Sequence, residues 1–238
     1  MYSVEDTHWW YLGMNTIFSE IVKRQIPQKS YRILDSGCGT GGAAEHLLRQ
    51  FGSVVEMDLS LTGLGYCKKR TLKDLVCGSV GQLPLQTASF DLVASFDVLY
   101  EKSVPDVRTA IIEVSRILMP GGYFVLRVPA YDWLRGRHDE AVNTGRRFTR
   151  REISRLVIDS GFDILHSSYV NAILFPLALG KRLGEKLFPK SKPVSDFYVP
   201  GKLVNRLLAA ILRAEAPVVS RFGLPFGLSI ALVAQKPL

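Results

Sequence analysis

Glycines at positions 37, 39 and 41 follow a short apolar segment near the start of the chain. Glycine lets the backbone turn sharply and lets a ligand approach the amides at the start of the following helix. Asp58 ends the next apolar segment about 20 residues further on, where a carboxylate can accept hydrogen bonds from both hydroxyls of a ribose. This combination predicts a binding site for a cofactor that contains adenosine.

Asp35, which precedes the glycines, helps to separate the candidate cofactors. Gly37, Gly39 and Gly42 also satisfy the G-x-G-x-x-G pattern of dinucleotide sites, so the glycines alone leave an NAD(P)-dependent oxidoreductase open. The Asp35 carboxylate would face the ammonium group of an amino-acid moiety, and a dinucleotide carries no cation at that place. The alternative hypothesis is that Asp35 accepts hydrogen bonds from amides of the loop.

Apolar strands alternate with helical patterns along the first 129 residues, which is typical of a parallel sheet covered by helices on both faces. A helical segment at about residues 6–25 precedes the first strand, and a capping box at Thr149 opens a helix in the second half. The sequence predicts strands at 31–35, 53–58, 74–77, 89–95, 123–128, 162–169 and 228–234.

Five short segments carry a series of motifs: Leu34-Asp-Ser-Gly-Cys-Gly-Thr-Gly41, Val55-Glu-Met-Asp58, Leu83-Pro-Leu85, Ser89-Phe-Asp-Leu-Val93 and Arg116-Ile-Leu-Met-Pro-Gly-Gly122. In order and spacing they resemble the class I S-adenosylmethionine-dependent methyltransferases, specifically the bacterial small-molecule enzymes of the methyltransferase-11 type. The resemblance implies an α/β, Rossmann-like, doubly wound sheet of seven strands with an antiparallel last strand. It also implies S-adenosyl-L-methionine as cofactor and S-adenosyl-L-homocysteine as product.

The sequence departs from the family pattern at two positions. Ser79 stands where the family commonly has an Asp that receives the adenine amino group, and a serine oxygen can accept that bond without charge assistance. Leu99-Tyr-Glu101 stands where the family often reads Leu-Glu-His, so a catalytic role of that histidine does not transfer. The cofactor-binding residues implied by the resemblance are Trp10, Asp35, Gly37, Cys38, Gly39, Gly41, Asp58, Leu59, Ser79, Val80 and Phe96.

Methyl transfer from a sulfonium is an in-line displacement, which mainly requires the acceptor's lone pair to be held near attack distance. A general base is needed only when the nucleophile is protonated. His138 is the candidate base because it follows the fifth strand, where the mouth of the active site is expected; a solvated loop histidine is the alternative. Tyr11 and Tyr131 are the other candidate catalytic residues.

Two segments outside the motif series are predicted to cover the site. Residues 1–30 would form an N-terminal helical lid, and residues 31–238 the methyltransferase domain. Within that domain, residues 170–227 would form a helical insertion between strands six and seven that covers the acceptor. The insertion mixes apolar and basic residues, so it fits either a cover over an apolar pocket or an interfacial helix on anionic lipid.

The net charge of +8 is carried entirely by the second half of the chain. Residues 1–129 contain 13 Lys+Arg and 13 Asp+Glu, whereas residues 130–238 contain 17 and 9. The excess suggests an anionic partner, with a solvated basic face as the alternative. A nucleic acid is disfavoured because the sequence lacks the N-P-P-Y or D-P-P-Y tetrapeptide of base-amino methylases and an aromatic-basic recognition module.

The sequence therefore predicts an enzyme that transfers a methyl group to O, N or C of a small, apolar or aromatic metabolite. The first alternative is a lipid-linked or quinone acceptor at the membrane surface; an oxidoreductase and a non-catalytic cofactor-binding relic are further alternatives. We expect a cytoplasmic location, with peripheral contact at the inner membrane face under the lipid hypothesis. The three cysteines lack C-x-x-C spacing, so no metal site is predicted, and the pattern indicates no oligomeric state.

Overall fold

A seven-stranded sheet forms the centre of the computed structural model, which describes residues 2–187 and 200–238. The strands are β1 (Tyr31–Ser36), β2 (Gly52–Asp58), β3 (Leu75–Cys77), β4 (Phe90–Phe96), β5 (Leu118–Pro129), β6 (Asp163–Val170) and β7 (Ser229–Gln235). They pair in the order β3-β2-β1-β4-β5-β7-β6. Strands β1 to β5 run parallel, and β7 is antiparallel to both of its neighbours.

Helices cover both faces of the sheet. Those in the described residues are α1 (Tyr2–Glu5), α2 (Trp9–Gln25), α3 (Gly42–His46), α4 (Leu61–Lys69), α5 (Val107–Ile117), α6 (Arg137–Ala141), α7 (Arg150–Ile158), α8 (Phe175–Leu187), α9 (Lys202–Ala214) and α10 (Ala216–Phe222). Alternate strand residues point to opposite faces: Val93 and Phe124 pack with α5 and α7, whereas Leu92 and Val125 pack with α2, α9 and α10. Because both faces are buried, the strands are apolar almost throughout.

The predicted fold class is confirmed, including the seven strands and the antiparallel last strand. The strand bounds differ by at most one residue at either end, except that β5 begins at Leu118, which already pairs with Phe90 across a bulge. The helix expected at about residues 6–25 is α2, which begins three residues later at Trp9, and the short helix α1 precedes the expected range. His8 is the N-cap of α2, and its Nδ1 accepts a hydrogen bond from the Trp10 amide.

The segment between β6 and β7, for which a helical insertion was predicted, carries α8, α9 and α10 among its described residues. Residues 188–199 of that segment lie outside the described residues. Among the helices that are described, no helix combines the length and the apolar composition needed to cross a membrane.

Glu215, between α9 and α10, ties the insertion to the end of β6. Its buried carboxylate accepts hydrogen bonds from the amides of Asn171 (2.8 Å), Ala172 (3.1 Å) and Ile173 (2.7 Å). Asn171 has a φ of +62°, so the chain turns sharply there as it leaves the sheet. The carboxylate therefore fixes the direction in which the chain enters α8.

Replacing this acceptor should destabilise the protein. We expect Glu215→Ala to lower the free energy of unfolding by about 3 kcal/mol, because three amides lose their charged acceptor and two of them are fully buried. Glu20→Ala removes an exposed pair with Lys23 and should cost less than about 1 kcal/mol. Urea unfolding of both variants checks this, and equal costs would contradict the anchoring role.

Candidate functional site

A cavity of about 1090 Å³ opens at the carboxyl edge of the parallel strands. This edge is where open α/β sheets bind their ligands. Two parts of its lining differ in chemistry. The glycine-loop wall consists of Asp35, Gly37, Cys38, Gly39 and Asp58, and the apolar wall consists of Leu134, Ala141, Val142, Leu174, Leu177, Ala178, Leu208 and Leu228.

The glycine loop is held against β2 and exposes its backbone to the cavity. The amides of Gly37 and Cys38 both donate to the Met57 carbonyl, at 2.7 and 3.0 Å. Gly37 has a φ of +88°, and a Cβ there would lie 2.2 Å from Val98. At Gly39 (φ +57°) a Cβ would meet nothing within 4 Å, so a ligand can approach its backbone.

Asp58, at the end of β2, faces the same loop. One carboxylate oxygen accepts from the Gly39 amide and the other from the Ser60 amide, both at 2.8 Å. A carboxylate offers about four lone-pair positions, so these two bonds leave capacity for two further donors. Because Asp58 lines the cavity, it can accept hydrogen bonds from a vicinal diol of a bound ligand.

Asp35 lines the cavity although its side chain is almost wholly buried. In the described part of the chain, no N–H or O–H donor reaches its Oδ2 and no basic side chain forms a salt bridge with it. Burial and the nearby Asp58 raise the pKa of this carboxyl to about 7. Since no amide satisfies Oδ2, the geometry favours a cationic ligand group at Asp35 over the alternative of a loop-amide acceptor.

The N-terminal segment packs directly against the glycine loop. Glu5 accepts a hydrogen bond from the Thr40 hydroxyl at 2.6 Å and pairs with Arg70 at 3.2 Å. Arg70 also pairs with Asp6 at 2.7 Å and donates to the Thr40 carbonyl at 3.0 Å. The side chains of Glu5 and Arg70 are each 7% exposed, so this pair is shielded from solvent and holds α1 beside the cavity.

Arg127 is a buried cation within the otherwise apolar β5. Its Nε donates to Asp97 at 2.7 Å, and its guanidinium lies over the rings of Trp10 (4.6 Å), Phe96 (5.2 Å) and Phe18 (5.5 Å). Cation–π contacts of this kind are strongest when the cation is desolvated. The Arg127–Asp97 ion pair and the rings around it therefore connect α2 with β4 and β5 at the cavity surface.

Ionisable groups stand beside the apolar wall. His138 lines the cavity, as does the buried Asp139, which pairs with Arg147 at 2.8 Å. Glu101 is half-buried in the loop after β4, and burial raises the pKa of its carboxyl. Lys181 and Arg182 of α8 complete this part of the lining.

The cavity brings together most of the residues predicted from the sequence: Trp10, Tyr11, Asp35, Gly37, Cys38, Gly39, Asp58, Leu59, Ser79, Val80, Phe96 and His138. Within the described ranges, Gly41 and Tyr131 are placed elsewhere. Gly41 is the N-cap of α3, with a φ of +80°, and packs against Leu72 and Cys67. Tyr131 stacks on the ring of Tyr169, with centroids 5.0 Å apart.

Several cavity residues were not predicted, namely Glu5, Asp97, Glu101, Arg127, Arg147 and Asn171. Arg127 carried a usable signal, because a charged residue inside a buried strand is rarely placed there without a partner. Glu5 and Asn171 carried no signal, since each depends on a hydrogen-bond partner more than 30 residues away.

Residues 34–126 match a family model described as a methyltransferase domain. The chain is 35% identical over 105 residues to a phthiotriol/phenolphthiotriol dimycocerosates methyltransferase of Mycobacterium tuberculosis, covering 42% of this chain and 38% of that protein. It is 33% identical over 115 residues to a fatty-acid O-methyltransferase of Mycolicibacterium smegmatis, covering 45% and 41%. The chain thus spans about two fifths of the length of these curated relatives.

The whole fold has counterparts among solved structures. A chain from the Haloferax volcanii complex of the Trm112 methyltransferase activator with a candidate methyltransferase superposes with a TM-score of 0.64 at 20% identity, covering 99% of this chain and 92% of that one. The sheet order, the glycine loop and its two acids define a class I methyltransferase fold. The match over residues 34–126 and the shared fold agree with the resemblance that the motif series indicated.

Proposed function

We propose that this protein transfers a methyl group from S-adenosyl-L-methionine to a small apolar molecule held against the apolar wall. The observation that supports this proposal is the buried Asp35 carboxyl. It lines the cavity beside Gly39, whose backbone a ligand can approach, and it has no basic partner among the described residues. A ligand that brings an ammonium group to this point satisfies it. A nicotinamide dinucleotide brings no ammonium group to this point. Methyl transfer is therefore favoured over the oxidoreductase hypothesis.

The other residues of the glycine-loop wall fit the same cofactor. Asp58 would accept the ribose hydroxyls and Ser79 the adenine amino group, while the loop backbone lies against the amino-acid moiety. Leu59, Val80 and Phe96 supply apolar surface, and Trp10 lies over Arg127 at the same cavity. The bound cofactor supplies an electrophilic methyl group on a cationic sulfur.

Activation of the acceptor depends on its chemistry. A hydroxyl must lose a proton as the new bond forms, whereas a carboxylate already carries its lone pair in reactive form. His138 is the proposed base, because it lines the cavity beside the apolar wall. Glu101 is a second candidate, since a raised pKa makes its carboxylate a better proton acceptor. Tyr11 is proposed to orient the acceptor, because it lines the same cavity.

An apolar acceptor agrees with the names of the relatives. Both matched proteins are named for acceptors with long hydrocarbon parts, a dimycocerosate lipid and a fatty acid. The apolar wall, with five leucines, one valine and two alanines, can hold such a chain by burial of its methylene groups, at roughly 0.8 kcal/mol for each.

Cofactor binding can be tested by calorimetry with S-adenosyl-L-homocysteine. We expect wild type to bind and Asp58→Ala to bind at least about tenfold more weakly, because the ribose hydroxyls lose a charged acceptor. Asp74→Ala is the control, since Asp74 is an exposed carboxylate that directly precedes β3 and does not line the cavity. Absence of binding by wild type, or displacement of the ligand by NADPH, would refute the proposal.

The role of His138 can be tested by pairing two acceptors of one chain length. We expect His138→Ala to lower product formation from a long-chain alcohol by about 100-fold while leaving a long-chain carboxylate within about threefold. Release of S-adenosyl-L-homocysteine measures both rates. Equal losses on the two acceptors would show that His138 does not act as the base.

A lipid acceptor at a membrane surface is the second candidate, favoured by the outer face of α9. Leu203, Val204 and Leu207 are 82%, 50% and 60% exposed, and the exposed Lys202 and Arg206 lie among them. The neighbouring Leu208 lines the cavity, so this helix would connect a bilayer with the acceptor site. Basic, amphipathic helices of this kind lie in the interface of anionic bilayers.

This candidate predicts binding to vesicles. We expect the protein to sediment with phosphatidylglycerol vesicles at low salt, and Leu203→Glu/Leu207→Glu to reduce the bound fraction at least about fivefold, because the face loses apolar area and gains negative charge. Leu61→Glu is the control, since Leu61 is 73% exposed on α4, far along the chain from the insertion. Wild-type protein that stays in the supernatant would exclude this candidate.

A further inference from the structure

Glu56 is a fully buried carboxyl residue directly beside Asp35. The two residues are register partners in the adjacent parallel strands β1 and β2, so their side chains leave the sheet on the same face. Glu56 is 0% exposed and Asp35 is 1% exposed. Glu56 stands within the apolar Val54–Met57 segment and does not line the cavity.

No N–H or O–H group of the described residues satisfies these carboxyl oxygens. Neither Oε1 nor Oε2 of Glu56 receives such a donor there, and the same holds for Oδ2 of Asp35. The two carboxyls interact with each other, and the Cys38 thiol is the further hydrogen-bonding neighbour of Glu56. Two buried carboxyls that face one another satisfy each other when one of them is protonated and donates to the other.

The electrostatics decide where that proton resides. Burial and the adjacent Asp35 raise the pKa of Glu56 to about 10, above the value of about 7 for Asp35. Buried carboxyls this close cannot both ionise, because each anion destabilises the other. Between about pH 7 and about pH 10 the pair therefore holds one proton, which stays on Glu56.

We propose that Glu56 is a positioning residue: its protonated carboxyl donates to Oδ2 of Asp35 and thereby keeps Asp35 as the anion that receives the cofactor's ammonium group. This inference rests on the proposed function and adds to it a coupling between cofactor binding and protonation. When Asp35 is protonated, binding of the ammonium requires that proton to leave for the solvent. When Asp35 is already ionised, no proton is released.

The groups around Asp35 set the direction of the pH dependence. Asp58 and Glu5 are anionic and raise its pKa, whereas Arg127 and the hydrogen bond with Glu56 lower it. The thiols of Cys38 and Cys67 complete the buried cluster. Affinity for an ammonium-bearing ligand should therefore fall as the pH drops below about 7, where Asp35 takes up its own proton.

Calorimetry with S-adenosyl-L-homocysteine from about pH 5.5 to about pH 8.5 tests the coupling. We expect Glu56→Gln to keep the affinity within about threefold and to keep the pH profile, because the amide N–H replaces the carboxyl proton. Glu56→Leu removes the donor, so we expect at least about tenfold weaker binding at pH 7 and a profile displaced to higher pH. Wild type should release protons on binding below pH 7, measured in two buffers of different ionisation enthalpy.

The outcomes separate this inference from the proposed function. If wild type binds with a flat pH profile, or if Glu56→Leu matches wild type at every pH, the positioning role is wrong while cofactor binding stands. Equal losses in Glu56→Gln and Glu56→Leu also overturn it. If wild type does not bind at all, the proposed function fails. Thermal unfolding of each variant confirms folding, and Glu56→Gln keeps the test decisive if Glu56→Leu does not fold.

Discussion

The Arg127–Asp97 ion pair is the interaction on which the arrangement of the cavity depends. Taking both charges out of water is costly, and removing one partner of such a pair typically destabilises a protein by about 3–5 kcal/mol. Here the Arg127 guanidinium is enclosed by Trp10, Phe18 and Phe96, and Asp97 holds it from the side of the cavity, so that α2 packs over the edge of β4 and β5. Asp97 adopts a φ of +62° to present its carboxylate, a conformation that Asp tolerates better than most residues. The position of Trp10 at the start of α2 thus depends on the buried Arg127 of β5.

The two sides of the cavity carry opposite charge, and each side suits a different part of the proposed ligands. The glycine-loop wall and its surroundings contribute Glu5, Asp35 and Asp58, which suit a cationic amino-acid moiety. The side near α8 contributes Lys181 and Arg182 beside leucine side chains. The excess of positive charge in residues 130–238 therefore coincides with the part of the chain proposed to face the acceptor, and the balanced first half carries most of the proposed cofactor residues.

Local pattern was sufficient for the sheet and for most of the cofactor site. Strand positions follow from apolar runs, and the carboxyl ends of neighbouring parallel strands must meet, which brings Asp35 close to Asp58. Long-range partners could not be predicted in this way. Glu5 is buried only because Arg70 and Thr40 reach it, and Gly41 packs inward because Leu72 and Cys67 lie behind it. Arg127 and Glu56 can be recognised in the sequence as charged residues inside apolar strands. Their roles could not be predicted, because these depend on neighbours that only the structure shows.

The insertion between β6 and β7 is anchored separately from the glycine loop, so the proposed acceptor side of the cavity can change without the proposed cofactor side. The Glu215 carboxylate fixes the turn after β6, and from there α8 places Leu174, Leu177 and Ala178 on the cavity. None of these residues belongs to the segment that matches the methyltransferase family model. The insertion lies across the cavity from the glycine loop, and its helices α9 and α10 pack on α2 and on the apolar sheet residues beneath it. Under the proposed function, acceptor selectivity would be a property of the insertion and of the loop after β5, and the proposed cofactor residues would constrain it through the position of the reactive methyl group.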